Sequence, residues 1–85
     1  MGKNGDHTGE KAHLESEFKR LGDRIKAVRI SQGFTSSETF ANARNLSRAQ
    51  YAKYEQGRNL TYANLLKVIR ALHISIPDFF GEGFD

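Results

Sequence analysis

The sequence predicts an all-α fold, a compact bundle of five helices, and three observations carry that expectation. Apolar residues recur at helical spacing, most plainly as Leu14, Phe18, Leu21, Ile25 and Val28, which is one stripe along a helix. Ser36, Ser47, Thr61 and Ser75 each stand where a hydroxyl can cap a helix that follows. Gly33, Asn45, Gly57 and His73 stand where those helices should stop, and three of them are residue types that tolerate a left-handed backbone.

The first helix is expected over residues 14–32, with Gly33 ending it, after a polar, Gly-rich lead-in over 1–13 that reads as disordered. Its stripe is long, so Leu14 and Phe18 at its front end either fold onto the C-terminal aromatics, the favoured reading, or pair with another subunit. Phe34 and Phe40 read as core. Helix 2 is expected over 36–43 and helix 3 over 47–56, joined by a turn at 44–46 in which Asn45 takes the left-handed conformation and Arg44 is solvated. Small Ala41 allows a close crossing, and Leu46, Tyr51 and Tyr54 turn one face of helix 3 inward. Helix 4, over 62–72, aligns Leu65, Val68, Ile69 and Leu72. A short fifth helix follows Ser75, with Pro77 and Asp78 in its first turn and Phe79 and Phe80 as its apolar content. The domain then spans 14–80, and residues 81–85 form a frayed tail.

Eighty-five residues make one small domain, and six Phe and three Tyr must supply much of its core. The absence of Cys excludes disulfides and thiolate metal sites. His7 and His13 are too far apart to hold a metal by themselves, and no cofactor is expected. No apolar run approaches the roughly 20 residues that span a bilayer, and the polar start is no signal peptide. The expected location is cytoplasmic, with no membrane partner.

The net charge of +3 is unevenly spread: residues 18–33 carry +4 and 44–58 carry +3, whereas 1–17 carry −2. The second basic block includes helix 3, whose outer face shows Arg48, Ala49, Gln50 and Lys53. A braced helix with a basic, hydrogen-bonding outer face suits the major groove of double-stranded DNA.

The chain resembles the helix-turn-helix domains of the Xre/Cro/phage-repressor class. The elements that carry the resemblance are Arg24-Ile25 with Arg29, Ala41, Asn45, Ser47-Arg48, Glu55-Gln56-Gly57, and Leu65-Leu66 through Ala71-Leu72 to Ser75, so that it covers residues 21–80. It departs from the usual pattern in Asn45 and His73, which replace glycines, and in a loop after Gly57 without its common Pro. The approach to helix 2 is also one residue longer.

The resemblance implies a lambda-repressor-like bundle in which Arg48, Ala49 and Lys53 face base edges with Gln50 beside them. Arg48 suits guanine, and Gln50 can pair bidentately with adenine. The resemblance also implies phosphate contacts from Ser37, Ser47, Arg58 and Arg29, and an internal salt bridge between Arg29 and Glu55 that locks helix 1 to helix 3.

The function expected first is a sequence-specific transcriptional regulator, acting as a homodimeric repressor. Its dimer surface is either the front of helix 1 or helix 5 with Phe79, Phe80 and Phe84. The alternative is an antitoxin-like module that binds a protein partner, with DNA binding secondary. An enzyme is not expected: no serine has a histidine with a plausible place beside it, the acidic residues are scattered, and no glycine loop cradles phosphate.

Overall fold

A computed structural model describes residues 3–84, with side chains from Gly9 onward. The element order is α1 (Lys3–Ser31), α2 (Ser37–Ala43), α3 (Arg48–Glu55), α4 (Tyr62–Ala71) and α5 (Ile76–Phe80). Each of the last four is capped by the hydroxyl expected from the sequence. Ser36 Oγ accepts from the Thr39 amide, Ser47 Oγ from Gln50, Thr61 Oγ1 from Asn64 and Ser75 Oγ from Asp78, at 3.1–3.3 Å.

Three helix ends share one closure. Gly33, Asn45 and Gly57 have φ of 92°, 58° and 77°. In each case the amide of the next residue reaches back five positions: Phe34 to the Arg29 carbonyl, Leu46 to Ala41, and Arg58 to Lys53. His73 is also left-handed, with φ 54°.

The core is formed by Ile25 and Val28 of α1, Phe40 and Ala41 of α2, Tyr51 and Tyr54 of α3, Leu65, Val68 and Ile69 of α4, then Leu60, Leu72 and Phe79. Phe40 sits at its centre, edge-on to Phe34 at 5.2 Å and tilted against Tyr51 at 5.0 Å. α3 packs against both α1 and α2. The crossing with α1 is tight at Gly22, where a Cβ would lie 2.5 Å from the Glu55 carbonyl oxygen and 2.7 Å from the Gly57 nitrogen. Gly57 is crowded from the other side: a Cβ there would meet the Phe18 carbonyl oxygen at 2.6 Å.

The structure differs from the sequence expectation at both ends. α1 begins at Lys3, ahead of the expected start at residue 14. Once the packed stretch from Leu21 to Val28 is fixed, extending the helix adds one hydrogen bond per residue without a new nucleus. Residues 1 and 2, also assigned to the lead-in, lie outside the described residues, as does Asp85.

The tail is docked rather than frayed through residue 84. Phe84 is half-buried against Phe79 and Phe80, with the Arg20 guanidinium 5.5 Å from its ring centre, and Arg20 donates to the Gly83 carbonyl. Arg24 donates to the carbonyls of Phe79 and Asp78 at 2.7 and 2.9 Å, closing the end of α5. Phe79 and Phe84 are thus faced by two α1 arginines and not by the front of the apolar stripe. Leu14 and Phe18 remain 50% and 38% exposed.

Candidate nucleic-acid interface

α3 is held from within and open without. Tyr51 is fully buried and Tyr54 nearly so, while Arg48, Ala49, Gln50 and Lys53 are all exposed. The inner anchor is a two-point ion pair: Arg29 Nε donates to Glu55 Oε2 at 2.6 Å and Nη2 donates to Oε1 at 3.2 Å. The third arm of the guanidinium, Nη1, donates to the Phe34 carbonyl at 2.6 Å. This bond network raises the Arg29 pKa, through the hydrogen bond to Glu55 first. Beside it the Tyr51 hydroxyl is buried without a hydrogen bond of its own, and burial, reinforced by Glu55, pushes that phenol far above its ordinary range.

Arg29 is 3% exposed, which corrects its expected second role. With the guanidinium committed inside the fold, it is not on the surface to meet a phosphate. Arg44 is a second correction. It is not solvated: its guanidinium lies 5.2 and 5.4 Å from the ring centres of Phe34 and Phe40, and Nε donates to the Ala71 carbonyl at 2.7 Å. It therefore satisfies an orphan carbonyl at the end of α4 and ties that end to the turn.

The flanks of the open face are also organised. On the α2 side, Arg48 pairs with Glu38 at 3.0 Å, both side chains well exposed. On the α4 side, Gln50 Oε1 accepts from Asn59 Nδ2 at 3.1 Å. Lys53 and Ala49 stand between them. Ser47 accepts an amide proton in its cap, which leaves its own O–H free to donate. Ser37 is half-buried at the start of α2, and Arg58 is exposed just past α3, where it donates to Gln56 at 3.4 Å.

A family model described as helix-turn-helix matches residues 25–79, more than half of the chain and the whole of α2 through α4. The chain belongs to the Xre/Cro-type helix-turn-helix family. No curated protein and no solved structure gives a significant match. Helix-turn-helix membership implies DNA binding, and within the matched residues α2 and α3 are joined by the tight turn at Asn45. Among the described residues no helix is long and apolar enough to cross a membrane.

Sequence reasoning missed Glu38 within this helix-turn-helix, and Gly22 and Asn59 as residues that pack against or flank it. Gly22 had a signal: a glycine inside a helix costs about 0.5–1 kcal/mol relative to alanine, so its presence points to a close approach. Asn59 had a weaker one, as an asparagine in a loop, a residue type that tolerates φ above zero. Its φ is 56°. Glu38 had none, because its partner lies ten residues away across a turn.

Proposed function

We propose that the chain is a sequence-specific, double-stranded-DNA-binding transcriptional repressor that acts as a homodimer and reads the major groove with α3. The observation that carries this reading is the division of α3 between a buried tyrosine face and an open face bearing Arg48, Ala49, Gln50 and Lys53. Such a helix can enter a groove without unfolding its own anchor. Arg48, Ala49, Gln50 and Lys53 meet base edges, while Ser37, Ser47 and Arg58 hold phosphates on either side.

One domain of this size makes too few contacts for tight binding at cellular salt, so two copies are required on half-sites roughly 34 Å or a multiple apart. Helix α5 supports the pairing surface. Ile76 and Phe80 are 47% and 42% exposed there, whereas Phe79 is buried and Phe84 is packed beneath Arg20.

The test is selection of bound duplexes from a random DNA pool at about 150 mM salt, where purely electrostatic binding is already weak. Enrichment of a two-fold symmetric motif is the expected outcome. Failure of a folded sample to enrich any motif would refute the reading. One observation favours a second reading, an antitoxin-like module: Leu14 and Phe18 form an uncovered apolar strip on an acidic stretch of α1. Purified protein that stays monodisperse alone and binds its operator tightly would exclude it.

A further inference from the structure

Arg48, at the start of α3, does not stand alone on the open face. Its Nη1 lies 3.0 Å from Oε1 of Glu38, which comes from the first turn of α2, across the turn at Asn45. Among the described residues neither side chain has another charged partner.

The contact engages one corner of the guanidinium. The edge made by Nε and Nη2 has no ion-pair partner among the described residues. In the same molecule, Arg29 uses that edge to grip Glu55 at two points. Arg48 can therefore set the same two donors on O6 and N7 of a guanine while Nη1 stays beside Glu38. A phosphate is different, because seating it on this guanidinium brings two anions together around one small cation. A guanine edge carries no net charge and meets no such repulsion.

Resting on the DNA-binding reading above, we infer that Glu38 is a specificity-determining positioning residue: it biases Arg48 toward a base edge and against the DNA backbone. An exposed pair is weak, so the bias is modest. It acts on unrelated DNA, where Arg48 has no guanine at its position and phosphate is the alternative.

The experiment measures the affinity of the wild-type protein, Glu38→Gln, Arg48→Ala and the double variant Glu38→Gln/Arg48→Ala for the selected duplex and for an unrelated duplex, across a salt series. Each is first shown to be folded by its helical circular dichroism and melting. Glutamine keeps the length of the side chain and removes its charge. Glu38→Gln should tighten the unrelated duplex about fivefold at about 150 mM salt and steepen its salt slope by about one unit, as one added phosphate contact does. The selected duplex, where Arg48 already sits on its base, should gain no more than about twofold, so the ratio of the two affinities falls. In the Arg48→Ala background the same substitution should leave that ratio unchanged.

Equal tightening of both duplexes by Glu38→Gln would mean that the carboxylate only repels DNA. A ratio that falls as far without Arg48 would mean that Glu38 acts through another group, and weaker binding of the selected duplex alone would make Glu38 a direct contact. Each of these overturns the inference while leaving sequence-specific binding intact. If the wild-type protein enriches no motif, the DNA-binding reading fails and this inference fails with it.

Discussion

Helix α3 carries two Arg–Glu pairs of the same chemistry and nearly the same length, and they do opposite things. Arg29–Glu55 joins it to α1 at 2.6 Å with side chains 4% and 10% exposed; Arg48–Glu38 joins it to α2 at 3.0 Å with side chains 60% and 65% exposed. In the first, every arm of the guanidinium has a protein partner, and the pair cannot open without leaving a charge buried. In the second, water already competes for both partners, so Arg48 can leave Glu38 for another anion at little cost. Burial, not distance, separates an arginine that holds the helix from one available to read with it.

The comparison is broken most severely by removing one side of the buried pair. Glu55→Ala should cost about 3–5 kcal/mol, because it strands the Arg29 charge, and urea unfolding will measure it. Glu38→Ala should cost less than about 1 kcal/mol in the same assay. Equal losses would mean that exposure does not distinguish the two pairs.

Next in size is the crossing that brings Glu55 to α1. Gly22→Ala would ordinarily stabilise a helix interior, yet here the added carbon meets backbone of the α3 end, which cannot move aside. The expected result is a net loss of about 2 kcal/mol, seen as a lower melting temperature. A gain would show that α1 and α3 do not approach as closely as described.

Tyr51→Phe sharpens the picture of the buried pair from its neighbour. Removing a hydroxyl that has no partner should leave stability unchanged or raise it by up to about 1 kcal/mol. The variant should also lose a pH effect. The Tyr51 pKa is raised on folding, so its contribution is fully present below the unfolded value of about 10 and declines as pH rises above it. Wild-type stability should therefore fall more steeply than that of Tyr51→Phe in alkaline unfolding series; parallel curves would refute the assignment.

The smallest expected effect is at the turn. Asn45→Gly should stabilise by about 0.5 kcal/mol, since φ of 58° is cheaper for glycine and no side-chain hydrogen bond from Asn45 is present among the described residues. Thermal melting that shows a clear loss would assign its side chain a structural role.

The backbone plan was legible in the sequence because its signals are local. A hydroxyl three residues ahead of an amide, or a glycine after a helical stripe, acts within one turn, and the four caps, the Asn45 turn and the His73 stop all follow from such spacing. The inward set of α3 was legible for the same reason. What was not legible depends on partners distant in the chain. Arg44 looked solvated because nothing nearby shows that Ala71 ends a helix beneath it. Arg24 closes α5 across more than fifty residues, and Asn59 meets Gln50 only once the loop has folded back. The start of α1 is less legible for a different reason: composition reports the weak propensity of residues 3–13 but not that a packed helix lies next to them to extend.

The central claim is that α3 and the residue just past it divide the work, Arg48 reading bases and Arg58 holding phosphate. The measurement is the affinity of Arg48→Ala and Arg58→Ala for the selected duplex and for single-base variants of it, across a salt series. The account predicts that Arg48→Ala costs about 1–3 kcal/mol and relaxes preference at one base position, whereas Arg58→Ala weakens all duplexes alike and lowers the salt slope by about one unit. Equal loss of base preference from both changes, or none from Arg48→Ala, would contradict it.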